Sequence, residues 1–79
     1  MAGPITWKEP VLIKEAVGLS REVRDVTTAL RVIDRWEPRR RWRRSVDILI
    51  QVNLENKTAE EGRKAFVEAA REAGALIER

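Results

Sequence analysis

The sequence predicts a small α+β domain, a β-hairpin packed against three helices in the order β-β-α-α-α-β, on three observations. A short branched-rich run, Val11-Leu12-Ile13, is followed by a glycine and then by a second run around Val23, which is the pattern of a hairpin. Three later stretches repeat apolar residues at helical spacing, and the last carries both a start and a stop signal. With 79 residues, 43% hydrophobic and 37% charged, the chain suffices for one core and one domain.

Residues 1–9 read as a lead-in to a domain over residues 10–79. Pro4 and Pro10 oppose regular structure there, and Trp7 is the one anchor. The first strand is expected from Pro10 to Glu15, with Pro10 at a first-residue or edge position. Ala16 to Ser20, containing Gly18, suits the hairpin loop. Arg21 to Val26 reads as the second strand with Val23 inward, although Val26, three residues on, breaks the alternation. Thr27 is the expected N-cap of the first helix, and Ala29, Leu30, Ile33 and Trp36 form its apolar stripe. Pro38 ends it, because the residue before a proline is pushed out of the α region. A helix of about ten residues does not persist without packing.

The second helix is expected from Arg39 or Arg40 to Leu54. At about 100° per residue, Trp42, Val46, Leu49 and Ile50 share one face. Ile48 and Val52 fall on the far side near Arg41, as a second contact surface or simply exposed. Glu55-Asn56-Lys57 is a polar turn. The third helix opens on a capping box, Thr58-Ala59-Glu60-Glu61, and its stripe is Ala59, Gly62, Phe66, Ala69 and Ala73, flanked by Ala65 and Ala70. Small residues there let a neighbouring backbone approach closely, with Phe66 as the space filler. Gly74 is the expected left-handed residue past the helix end, and Ala75-Leu76-Ile77 reads as a third strand beside the hairpin.

Several of these residues form a larger pattern. Trp7-x-x-Pro10-Val11, Val26-x-Thr28-Ala29-Leu30, Trp36 before an Arg-rich turn, and the run from Ala65 to Gly74 together resemble a small bacterial family, the domain of unknown function numbered 982. The resemblance covers about Trp7 to Glu78, and Phe66-x-x-Ala69-Ala70-x-x-Ala73-Gly74 is its most specific part. It implies an intracellular bacterial α+β domain and supplies no catalytic residues. Family members carry small residues in the middle helix, where this chain has Val46, Leu49 and Ile50. They also have a Trp-Pro pair and a Gly after the first helix, where this chain reads Trp36-Glu37-Pro38 and then arginines.

Composition excludes several chemistries. With no Cys and no His, disulfides, thiolate nucleophiles, Cys/His zinc sites and imidazole acid–base work are absent. Glu60 and Glu61 serve a helix start, Glu68 and Glu72 have basic neighbours, and no EF-hand spacing occurs for a hard cation. Ser20 and Ser45 have no activating partner at motif spacing, and Gly18, Gly62 and Gly74 make no phosphate loop. The expectation is no enzyme, no cofactor and no metal. No apolar run approaches the roughly 20 residues that span a bilayer, and residues 1–4 do not open a secretory signal. A soluble cytoplasmic protein without a membrane partner is expected.

Charge is concentrated rather than spread. Arg35 to Arg44 hold six arginines and one acid, Glu37, a local +5, whereas the whole chain is +3 and the other 69 residues therefore sum to −2. Arg39, Arg40, Arg41, Arg43 and Arg44 are the candidate binding residues. Three readings stand for them: a solvated face with ion pairs to Asp34, Glu37 or Asp47; an anion or nucleic-acid site using free N–H groups at the helix start; or an acidic protein partner. Trp42 sits with the core stripe, with base stacking the alternative. Trp7 and Trp36 read as closing the two ends of the core rather than as ligand-binding groups. Five arginines at a helix N-terminus also oppose the helix dipole, by roughly 0.3–1 kcal/mol per badly placed charge, so compensation by nearby carboxylates of the same chain, a bound anion or a second chain is called for. The leading expectation is a non-enzymatic interaction or regulatory module, a homodimer binding a protein partner, with Trp7, Ile48 and Val52 at the contact between copies. Nucleic-acid or phosphate binding through the arginines is the alternative.

Overall fold

The hairpin's irregularities decide where the helices attach. In the computed structural model, which describes residues 5–77, strand β1 spans Thr6–Ala16 and strand β2 spans Leu19–Asp25. Only Val17 and Gly18 separate them, so the loop is shorter than the expected 16–20. Gly18 makes this possible by taking φ +75°, a conformation that costs a glycine little. Pairing is antiparallel and regular from Val11↔Val23 to Lys14↔Ser20. Below that, five steps along β1 from Thr6 to Val11 face only two along β2. The strand therefore begins at Thr6 and not at Pro10, and the lead-in reading fails for residues 6–9; residues 1–4 lie outside the described part. Pro10, which has no N–H to give a ladder, falls in the unpaired stretch.

Backbone groups freed by this bulge are taken up by helix α3, Ala59–Glu72. The Arg63 guanidinium donates to the Glu9 carbonyl at 2.9 Å, and the Lys8 N–H points at Glu60 Oε2 at 3.5 Å. On the other side of β1 the chain returns after α3. Lys14 N–H donates to the Ala75 carbonyl at 2.7 Å and Ile77 N–H to the Leu12 carbonyl at 2.9 Å. The expected third strand is thus reduced to one isolated antiparallel bridge, Ile13↔Leu76.

Helix α1, Val26–Ile33, follows β2 with no linker. Its cap is Asp25 rather than the expected Thr27: the carboxylate accepts from Thr28 N–H at 2.7 Å while Val26 N–H reaches the Ile5 carbonyl at 3.0 Å. Asp is as good a cap as Thr, and the β conformation of a strand's last residue is the one an N-cap needs. The helix stops at Ile33, short of Pro38, in a tightened turn where Arg35 and Trp36 N–H groups donate to Val32 and Ile33. Trp36 therefore belongs to the connection.

Helix α2, Arg40–Asn53, and α3 run antiparallel, with Arg41 beside Glu72 at one end and Val52 beside Gly62 at the other. A Cβ built on Gly62 would lie 3.0 Å from Val52 Cγ2 and 3.4 Å from Leu49 Cδ2. The small-residue face of α3 is what admits α2, and it turns Ser45, Leu49 and Val52 inward. The expected α2 stripe is correspondingly displaced: Leu49 is buried, Trp42 and Val46 are half-buried, and Ile50 is exposed. On α3 the stripe is as expected through Ala70, but Ala73 is exposed at the C-cap. The capping box is complete, with Thr58 N–H donating to Glu61 Oε2 at 2.9 Å and Glu61 N–H to Thr58 Oγ1 at 3.2 Å.

The core lies between the helices and the Val11, Ile13 and Val23 face of the hairpin. At its centre Phe66, fully buried, is stacked with two indoles. Trp36 lies 5.6 Å away at 18° and Trp7 6.0 Å away at 28°. Trp7 is held further by its Nε1–H, which donates to the Val23 carbonyl at 2.9 Å. Among the described residues no helix is long and apolar enough to cross a membrane.

Helices α2 and α3 end in the same double-bonded cap. Glu55 N–H donates to Val52 and Asn56 N–H to Gln51, as Gly74 N–H does to Arg71 and Ala75 N–H to Ala70. The left-handed position is Gly74 at φ +71° in one and Glu55 at +63° in the other. Glu55→Gly removes the strain of a side chain there and is expected to raise stability by about 0.5–1 kcal/mol. Urea denaturation monitored by helical circular dichroism checks it.

Candidate interaction surface on helix α2

Helix α2 carries seven large apolar residues: Trp42, Val46, Ile48, Leu49, Ile50, Val52 and Leu54 at its C-cap. They spread over roughly 240° of the helix circumference, more than one packed face covers. Docking on α3 buries the middle of that arc at Leu49 and Val52. Ile48, at one edge, is half-buried and lines a cleft of about 250 Å³ with Arg44, Lys57, Lys64, Glu61 and Glu68. The other edge is a ridge with four-residue spacing: Trp42, Val46, Ile50 and Leu54. Exposure along it rises from half-buried Trp42 and Val46 to 43% at Ile50 and 61% at Leu54.

Beside the ridge, between α1 and α2, is an open groove of about 450 Å³. Leu30, Ile33, Trp42 and Val46 make its apolar wall, and Arg31 and Asp34 stand at its rim. Trp42 is fixed in that wall. Its Nε1–H donates at 2.5 Å to the Ile33 carbonyl, which also accepts from the Trp36 N–H at 3.0 Å in the turn that ends α1. Its indole packs against the core, as the sequence reading placed it.

The five candidate arginines all sit exposed at the start of α2. Arg39 is the N-cap and makes no side-chain cap bond, and the first turn has no acid of its own. The compensating anion comes from far along the chain. Glu72 Oε1 accepts from the Arg41 N–H at 3.2 Å, and Glu72 Oε2 lies 4.0 Å from Arg41 Nε. An acid in the last turn of α3 opposes the dipole of its own helix but favours that of α2. Of the partners expected from sequence, only Glu37 pairs, with Arg39 at 3.6 Å; Arg35 reaches Glu15 on β1 at 3.6 Å. Among the described residues Arg31, Arg40, Arg43 and Arg44 have no ion pair.

Trp7 and Val52, expected at a contact between copies, are 5% and 1% exposed inside the single chain. Stacking on Phe66 and the close approach to Gly62 use them up. Ile50, expected on the packed face, is exposed, and so is Leu54, which was expected only as the end of the helix. Their signal was in the sequence as the excess of apolar residues on α2, but the rotation that decides which edge stays open is set by α3. Ser45 was seen only as a serine without an activating group. It is 1% exposed and its hydroxyl has no hydrogen-bond partner, a destabilising arrangement inside a helix interface.

No family model, curated protein or solved structure matches the chain. Nothing in these comparisons bears on the resemblance to the domain of unknown function 982.

Glu72→Gln is expected to lower stability by about 1 kcal/mol through the loss of the anion at the α2 start. Chemical denaturation at low and high salt checks this, since the difference between wild type and variant should shrink as salt screens the half-exposed pair.

Proposed function

We propose that the protein is a non-enzymatic interaction module whose ligand is a segment of another protein, received along α2. The observation that carries this reading is the ridge from Trp42 to Leu54 lying beside an apolar groove. Contiguous exposed apolar surface is a mark of interaction sites, which supports this reading. Anchored aromatic side chains at the edge of a groove are the usual energetic centre of such contacts. A second reading, nucleic-acid or phosphate binding, is favoured by Arg40, Arg43 and Arg44, which are exposed and without ion pairs. It uses none of the apolar ridge, and part of the α2 start is already taken by Glu72.

Panning a displayed random-peptide library against the protein tests the first reading, with Ile50→Glu as the counter-screen. Because Ile50 is substantially exposed, that variant is expected to fold normally. Enriched peptides should bind wild type and lose about tenfold or more on the variant. Failure to enrich, together with binding of random duplex DNA that falls steeply between about 50 and 200 mM salt and is abolished by Arg40→Glu with Arg43→Glu, overturns it in favour of nucleic acid.

A further inference from the structure

We infer that the segment received along α2 is an acidic amphipathic helix, with apolar residues on one face and Asp or Glu flanking them. This rests on the docking reading above and names the occupant.

The secondary structure of the occupant follows from the groove walls. Both are helices, α1 and α2, whose interior backbone groups are already bonded within the helix. An extended segment laid between them finds no N–H or C=O to pair with, and its own backbone loses water without compensation. A helix brings its backbone already satisfied. The spacing of the ridge fits as well: Trp42, Val46, Ile50 and Leu54 follow each other at four residues, the row that interdigitates with the same row of a second helix in the commonest packing class. That row is about 18 Å long, enough for about three turns of a partner.

The charge of the occupant follows from the surroundings. Residues 26–54, which make both walls, contain seven arginines against Asp34, Glu37 and Asp47. Glu72 and Glu15 answer Arg41 and Arg35, and Glu37 answers Arg39. Arg31 on the groove rim, and Arg40 and Arg43 on the first turns of α2, are left without a counter-charge in contact, whereas Arg44 lines the Ile48 cleft with Glu61 and Glu68. Carboxylates on the flanks of a docked helix supply what is missing. The same arithmetic disfavours a second copy at this face. Two α2 helices laid together in parallel would juxtapose their arginine clusters, and an antiparallel pair would set each cluster beside residues 48–54 of the other, which hold no acid. It also disfavours a neutral apolar helix, which would desolvate the rim without pairing it.

The test uses the whole protein and three synthetic peptides sharing one leucine face, flanked by Glu, by Gln or by Lys, followed by fluorescence anisotropy at about 50 and 200 mM salt. A fourth peptide, the Glu version with a central proline, removes the helix. The Glu peptide should bind about tenfold more tightly than the Gln peptide at the lower salt, with the gap narrowing at the higher. Lys flanks and the proline should abolish binding. Arg31→Glu with Arg43→Glu should erase the preference for Glu over Gln, and Ile50→Glu should remove binding of both. Equal binding of the Glu and Gln peptides overturns the acidic occupant and leaves the docking reading intact. Undiminished binding of the proline peptide overturns the helical occupant in the same way. Self-association in sedimentation that Ile50→Glu abolishes assigns the face to a second copy and overturns the inference. Failure of every peptide, alongside salt-sensitive DNA binding that Ile50→Glu leaves unchanged, overturns both readings.

Discussion

Phe66 is the contact on which the other elements converge. Its ring is stacked with Trp7 of β1 and with Trp36 of the α1–α2 connection, so three separate pieces of chain meet in one aromatic cluster. Aromatic pairs of this kind add about 0.5–1.5 kcal/mol each beyond the area they bury. Truncating a buried phenylalanine typically costs about 3–5 kcal/mol, and a core of this size supplies a net stability of about the same magnitude. The cluster is therefore not one contribution among many. It ties the bulged start of β1 and the turn after α1 to the middle of α3, and those two attachments position the walls between which α2 must fit.

How α2 fits is settled by size. Gly62 leaves room for Val52 and Leu49 to approach α3, and alanines at 65 and 69 continue the shallow face. Docking there selects the arc of α2 centred on Leu49, and the edge carrying Ile50 and Leu54 is left facing water. The candidate surface is thus a by-product of the core: an apolar helix turned by its neighbour so that one edge has nothing to cover it. The arginines add charge at the N-terminal end of the same helix, where Glu72 meets Arg41 and Glu37 meets Arg39.

Much of the fold was legible in the residues because local chemistry decided it. The capping box at Thr58, Gly74 past the end of α3, the short strand around Val11 and the inward Trp42 all follow from groups within a few residues of one another. The elements that read differently depend on distant ones. β1 extends back through Pro10 because α3 side chains satisfy the bulge, and Ala75 to Ile77 meet β1 in one bridge rather than as a strand. Asp25 displaced Thr27 as the cap because a strand ends where the helix begins. At the candidate surface the arginines were readable as a cluster and as a cluster in need of an anion, but Glu72, 31 residues away, was not. Periodicity gave α2 an apolar face and could not give its rotation, which is why Ile50 was assigned inward and Val52 outward when the packing has them reversed.

The central claim is that Trp42 is locked to the end of α1, so that α1 and α2 form fixed walls with the ridge outside them. Hydrogen exchange of the three indole N–H groups, followed by nuclear magnetic resonance under native conditions, addresses it most directly. Trp7 and Trp42, bonded to the Val23 and Ile33 carbonyls, should exchange slowly, whereas Trp36, whose indole nitrogen has no acceptor among the described residues, should exchange fast. A Trp42 signal that exchanges as rapidly as that of Trp36 would contradict the account, because α2 would then not be seated against α1 and the groove would have no wall.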